Sequence, residues 1–301
     1  MLVIGSRGSR LALWQAHWVK ARLEDLGEEC RIEIIHTTGD KITDVALSKV
    51  GTKGLFTKEI EEALLDRSID LAVHSLKDML TEVPAGLTLA AFPVREDPRD
   101  AVVGRKLSDL PPGARIGTSS LRRSAQLRAL RPDLQIENIR GNVDTRLRKL
   151  DEGQYDAILL ASAGLRRLGW HDRIAELLEP EVMCPAVGQG ALAIETRDDA
   201  GHAFEVCRRL DHEQTRICVT AERAVLATLG GGCQVPIGAL VEQVSRPVLL
   251  IRAVVVSPDG THLIRKSATG APSDAAALGR SIGEQLLTSG AAAILASVYG
   301  A

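Results

Sequence analysis

The chain has 301 residues, 45% of them hydrophobic and 25% charged, with a formal net charge of -2 at pH 7. That length is too great for one compact core, and that balance is typical of a water-soluble globular chain. It excludes a disordered chain, a collagen-like repeat and a disulfide-dense mini-protein. No apolar run reaches the ~18 residues of a membrane span, and the N-terminus has no basic start leading into an apolar stretch. No secretory signal is therefore expected, and the cytoplasm is the expected compartment.

In chain order, residues 2–6 read as a short buried strand. Ser9 then caps a helix that carries Leu11, Leu13, Trp14 and Trp18 and stops at Gly27. Residues 32–35 read as the next strand. Residues 57–67 form an amphipathic helix, with Ile60, Ala63 and Leu64 inward. Strands over 71–73, 114–117 and 157–161 follow, separated by helical patterns. Alternation of strand and helix predicts βαβ units with mostly parallel sheets. The last third differs. A helix over 215–229 precedes three strands (237–241, 248–256 and 262–267), the last two joined by the Ser257-Pro258-Asp259-Gly260 turn, and a closing helix covers 273–287. Grouped strands followed by a helix predict a separate α+β domain. Two Pro-bearing stretches without periodicity, 92–99 and 180–190, read as crossings out of one domain and back. The division expected is 1–94 with 190–210, then 95–189, then 211–301.

Residues 115–149 carry a charge of +6, so the remaining chain is at -8. A local cationic surface on a mildly acidic protein predicts a specific anionic ligand. Gly117-Thr118-Ser119-Ser120-Leu121-Arg122-Arg123 places hydroxyls and two arginines where a strand turns into a helix. A helix start of this kind suits an anion, and guanidinium forks grip carboxylates. Read alone it is equally a capped helix with solvated arginines. Arg140-Gly141-Asn142-Val143-Asp144-Thr145-Arg146, a second basic turn in the same region, favours the anion. Arg7-Gly8-Ser9 repeats the strand–turn–helix logic, at the strand end where open α/β sheets gather ligands. His74-Ser75-Leu76-Lys77-Asp78 lies just past another strand, where an acid beside a lysine suits proton handling or cation stabilisation. A basic glycine loop, Gly51-Thr52-Lys53-Gly54-Leu55-Phe56, lacks P-loop order and suits folding over a site. The five cysteines are odd in number and lack metal-ligand spacing, so neither a disulfide framework nor a metal site is expected. By itself Cys233, in Gly231-Gly232-Cys233-Gln234-Val235-Pro236, reads as a small buried residue at a tight turn.

These motifs together resemble the porphobilinogen deaminase family. The resemblance also takes in Arg95-Glu96-Asp97-Pro98-Arg99-Asp100 and Pro185-Ala186-Val187-Gly188-Gln189-Gly190, and it covers essentially the whole chain in order. It implies an α/β fold of two lobes like type II periplasmic binding proteins, with a cleft between them, plus a C-terminal α+β domain. It implies a dipyrromethane cofactor held through a thioether by Cys233, which reverses the reading of that cysteine from its neighbours. The implied reaction joins four molecules of porphobilinogen head to tail, with loss of ammonia, and water releases hydroxymethylbilane. Asp78 is implied as the catalytic carboxylate. Carboxylates of the cofactor and growing chain would be held by Arg7, Ser9, Lys53, Ser75 and Lys77. They would also be held by Thr118, Ser119, Ser120, Arg122 and Arg123, and by Arg140, Gly141, Arg146 and Gln189. Arg167 is a further candidate, and Phe56 is expected to cover the reacting ring. Met79-Leu80 follow Asp78 where the family usually has proline at the second position, and proline would stiffen that loop.

A non-catalytic binding protein for a carboxylated small molecule would use the same two lobes, but the lack of a signal peptide, Asp78 and the loop cysteine count against it. A nucleic-acid binder using 115–149 is disfavoured by the net charge and by only eight aromatic residues. The expected partner is a small-molecule substrate, with no nucleic acid, no membrane and a monomeric state.

Overall fold

The computed structural model describes residues 1–41, 54–232, 235–245 and 247–299. The chain falls into two compact units, Met1–Glu96 with Ala191–Arg216, and Asp97–Gly190 with Ile217–Ala301.

The first unit is built on a five-stranded sheet. β1 (Leu2–Ser6), β2 (Cys30–Ile34), β3 (Leu71–Ser75) and β4 (Leu87–Ala91) are joined by β10 (Leu192–Arg197), in the order β2-β1-β3-β10-β4. β10 pairs antiparallel with both its neighbours, whereas β1 pairs parallel with β2 and β3. α1 (Arg10–Asp25) packs Ala16, Val19 and Leu23 on one face, against Ile4, Leu71 and Val73. The other face is covered by α2 (Lys58–Leu65), whose Ile60 and Leu64 sit one turn apart on its inner side, among Ile69, Ala72 and Leu87. Each such fully buried side chain contributes about 1.5–3 kcal/mol. The unit continues past residue 210. His212 N–H donates to the Phe92 carbonyl at 2.9 Å, Phe92 N–H to Asp211 Oδ1 at 2.7 Å, and Arg216 to the Ala90 carbonyl at 2.8 Å.

The second unit repeats that topology. β5 (Asp100–Gly104), β6 (Arg115–Gly117), β7 (Gln135–Glu137), β8 (Ala157–Ala161) and β9 (Ile174–Leu178) form a sheet in the order β7-β6-β8-β5-β9. Here β5 is the antiparallel strand, in the same fourth slot that β10 fills in the first sheet. In each sheet the antiparallel strand is the first one the chain makes after crossing. This is the topology expected of two periplasmic-binding-protein-like lobes. α3 (Leu121–Leu130) follows β6, and α4 (Val143–Asp151) and α5 (Ser162–Arg167) flank β8 in sequence.

The same unit holds an antiparallel sheet, β11 (Ile237–Ser245), β12 (Val248–Val256) and β13 (Leu263–Gly270), in the order β11-β12-β13. One face packs on α6 (Glu213–Thr228) and α7 (Ala275–Leu286) around Val225, Ile251 and Ile282. The two helices approach closely at Gly279, where a Cβ would lie 2.2 Å from the Ala221 carbonyl oxygen. Val254 and Val256 meet Ala125 of α3 and Cys184 on the opposite face.

Candidate functional site

In the first unit the carboxyl ends of β1 and β3 open on a cavity. Arg7 and Ser9 reach it from the turn after β1, and Ser75 and Asp78 from the end of β3. Ser9 is the N-cap of α1, its Oγ accepting from Ala12 N–H at 3.3 Å. The role read from sequence as the plain alternative is therefore filled, and Ser9 still lines the cavity. Arg7 lies over the Phe56 ring, with its guanidinium carbon 4.2 Å from the centroid. That is cation–π distance, so Phe56, which lines the cavity just ahead of α2, aligns Arg7. Asp78 closes a 3₁₀ turn, Leu76–Asp78, that follows β3 directly. Lys77 lies on the same turn, partly exposed, and is not among the cavity-lining residues. Gln15, which the sequence reading passed over, lines the cavity from one turn inside α1 and donates to Ser75 Oγ at 2.9 Å. His74 also lines it, with its Nε2 3.0 Å from Glu195 Oε2 of β10.

In the second unit the two basic turns are tied together by Ser119, whose Oγ donates to the Ile139 carbonyl at 2.7 Å. Thr118 Oγ1 accepts from Ser120 N–H at 3.2 Å, and Ser120 caps α3 by accepting from Arg123 N–H at 3.5 Å. Arg122 and Arg123 are not solvated. They are 4% and 6% exposed and enclose Asp100, which is fully buried. Arg122 grips it with two bonds, Nη1 to Oδ2 at 2.7 Å and Nη2 to Oδ1 at 3.1 Å, and Arg123 Nε donates to Oδ1 at 2.8 Å. Gln189 adds Nε2 to Asp100 Oδ1 at 3.0 Å and to the Pro98 carbonyl at 2.7 Å. Burial pushes the Asp100 carboxyl up, but the Arg122 and Arg123 charges outweigh it and hold the group well below the usual carboxylate range. Arg122, Arg123 and Gln189 thus share a protein carboxylate that the sequence reading did not assign to them. The available signal was an acid opening the otherwise apolar run Ala101-Val102-Val103.

The second turn is more open. Gly141 has φ +108°, and a Cβ there would come within 2.5 Å of Thr145, so glycine is required. Arg146 Nε donates to the Gly141 carbonyl at 2.8 Å. Burial, together with the Arg123 and Arg140 charges, pulls Arg146 down to about 10. The Arg123 and Arg140 charges both bear on Arg146, and this surplus of positive charge fits a ligand bearing several carboxylates. Arg167 sits on α5, its Nη2 donating to the Gly190 carbonyl at 2.7 Å. Lys53 and Cys233 lie outside the described residues.

The two units define a class, an α/β protein of two like sheets with an acid-bearing cavity in one unit and clustered arginines at the basic turns of the other. Comparison with known proteins narrows it. Residues 2–205 match the family profile described as porphobilinogen deaminase, dipyromethane cofactor binding domain, and residues 216–288 match its C-terminal domain. The porphobilinogen deaminase of Syntrophobacter fumaroxidans is 52% identical over 303 residues, covering 99% of this chain and 98% of that protein. Those of Gloeobacter violaceus and Brevibacillus brevis are 51% and 50% identical, covering 99% and 98% of this chain and 94% and 96% of theirs. Among solved structures, a periplasmic substrate-binding protein of an ABC transporter from Coxiella burnetii aligns over 74% of this chain and 97% of its own, at 14% identity and a TM-score of 0.44. This chain belongs to the porphobilinogen deaminase family.

Proposed function

We propose that this chain is a hydroxymethylbilane synthase that joins four molecules of porphobilinogen, releasing ammonia at each addition and hydroxymethylbilane at the end. The observation that carries the reading is the placement of Asp78 in one cavity with Arg7, Ser9 and Ser75. A carboxylate beside carboxylate-binding groups is what a substrate with acidic side chains and a leaving amine needs. Arg7 and Ser9 take the acetate or propionate of a pyrrole and fix the ring. Asp78 holds a proton on the departing amine, and its negative charge then stabilises the delocalised pyrrole cation that ammonia leaves behind. Phe56 excludes water from that cation. In the second lobe Arg140 and Arg146 neutralise carboxylates of the lengthening product, with Gly141, Thr118, Ser119 and Ser120 offering polar contacts. Arg122, Arg123 and Gln189 hold those turns through Asp100. Lys53, Lys77 and Arg167 are assigned to further carboxylates.

The surplus charge around Arg146 and the family profile both fit dipyrromethane, which we assign to Cys233 as a thioether. When bound, it supplies the pyrrole α-carbon to which the first unit is joined. We assign the protein to the cytoplasm as a monomer that does not bind nucleic acid, with the three domains expected from the sequence except that the returning segment of the first runs on to Arg216. The four described cysteines, Cys30, Cys184, Cys207 and Cys218, are all buried, and the first three are free thiols, which suits a reducing compartment.

The test is to incubate purified protein with porphobilinogen and measure ammonia and hydroxymethylbilane together. Four ammonia per product are expected. Ammonia without linear tetrapyrrole, or binding without either, would remove the assignment.

A further inference from the structure

His74 and Ser75 end β3, and successive strand residues point to opposite faces. Each is tied to a buried polar partner. On the α1 face, Ser75 Oγ accepts from Gln15, which is 2% exposed. On the α2 face, His74 meets Glu195, and these side chains are 4% and 0% exposed. His74 pairs directly with Ala193 across the sheet, while Glu195 faces Ala72. The His74–Glu195 bond therefore runs diagonally, a span that long side chains bridge. The turn carrying Asp78 begins at the next residue. Leu76 N–H donates to the Ala191 carbonyl and Met79 N–H to the Leu76 carbonyl, both at 3.1 Å.

This is a costly way to hold a strand. Glu195 Oε1 is buried with no hydrogen-bond partner among the described residues. Burial raises the Glu61 carboxyl of α2, and the Glu195 charge adds to that rise. An apolar pair would pack the same space without desolvating a carboxylate. Hydrogen bonds, unlike apolar contacts, fix direction. We propose that His74 and Glu195 are positioning residues for Asp78, pinning one face of β3 while Gln15 pins the other, so that the strand end cannot roll and swing the carboxylate out of the cavity. The inference rests on the assignment of Asp78 as the catalytic acid.

The experiment uses the full chain carrying its cofactor, with porphobilinogen as probe. The double variant His74→Leu/Glu195→Leu removes both buried polar partners together, an exchange that leaves stability near or above its starting value. Its kcat, counted per molecule bearing the cofactor by intact mass, should fall about ten- to a hundredfold, the scale of a misplaced catalytic group. KM should stay within about threefold, and Glu195→Gln, which keeps an acceptor oxygen, should recover most of the rate. Hydrogen exchange at the Met79 amide should quicken in the double variant. Asp78→Glu, which moves the carboxylate by one methylene, should combine non-additively with it. An unchanged kcat in the double variant, or a raised KM alone, overturns the clamp even with Asp78→Asn inactive. If the double variant does not fold, Gln15→Leu is read by the same kcat, and a normal rate there overturns the clamp. An active Asp78→Asn instead removes the assignment on which the clamp rests.

Discussion

Arg122 and Asp100 form a two-point fork in the interior of the second lobe, with Nη1–Oδ2 at 2.7 Å and Nη2–Oδ1 at 3.1 Å and both side chains almost wholly shielded from water. Removing one partner from such a pair leaves a buried charge without compensation. Asp100→Ala should cost about 3–5 kcal/mol of stability, measured by urea unfolding. Because the folded-state pKa of Asp100 is depressed, its contribution is present above the unfolded value and is lost as pH falls through the folded one. The unfolding midpoint of the parent protein should thus drop as pH falls below about 4, and that part of the drop should be missing in Asp100→Asn. Equal acid slopes in the two proteins would refute it.

That fork also marks where the sequence ran out. The alternating βαβ frame was legible because β1, β3 and β8 are apolar runs bounded by turns, and strands over 2–6, 157–161 and 248–256 coincide with the observed elements. β5 and β10 were not read as strands, because each carries a buried acid, Asp100 or Glu195, where a core strand should be apolar. β7 has only three residues and lies at a sheet edge, leaving too short a pattern to detect. Of the site, the turns bearing Arg7, Asp78 and Arg146 were visible as local signals. The partners were not, since Arg122 meets an acid 22 positions earlier and His74 one 121 positions later. Such pairings are set by strand order, which no local window contains.

The strained cluster around Arg146 predicts an anion effect. Burial and the neighbouring Arg123 and Arg140 charges lower the proton affinity of Arg146, so the folded protein holds this charge at a cost. An anion that settles against Arg140 and Arg146 relieves it. A Cys233→Ser protein lacking the cofactor should gain several degrees in Tm on adding a tricarboxylate at a concentration where chloride of equal ionic strength gives none. Arg146→Gln should start from a similar or higher Tm and lose the gain. A gain that persists in Arg146→Gln would place the anion elsewhere.

Asp78→Asn keeps shape and removes charge. Its kcat should fall by at least about a hundredfold, with the Tm within a few degrees of the parent, because the side chain is only partly buried. Steady-state assay with porphobilinogen decides this, and a kcat within a few-fold of the parent would take Asp78 out of the chemistry.

Three of the described cysteines, Cys30, Cys184 and Cys207, are poor nucleophiles. Burial pushes the Cys184 and Cys207 thiols up to about 12 and raises Cys30 as well. Cys233→Ala should therefore abolish the covalent pyrrole adduct rather than shift it to another sulfur. Intact mass equal to the bare polypeptide is the expected reading, and a two-pyrrole adduct on the variant would transfer the anchor to one of the other four.

The fourth slot of the first sheet has a consequence for synthesis. β4 reaches β3 only through β10, so when residues 1–96 have left a ribosome they contain a sheet with a gap and one strand lacking a neighbour. The lobe that emerges first is completed only by a segment made a hundred residues later, after most of its sister has been translated. Its nascent form leaves unpaired edges on both sides of the gap, which is where a holding chaperone would be needed and where a truncated product would aggregate.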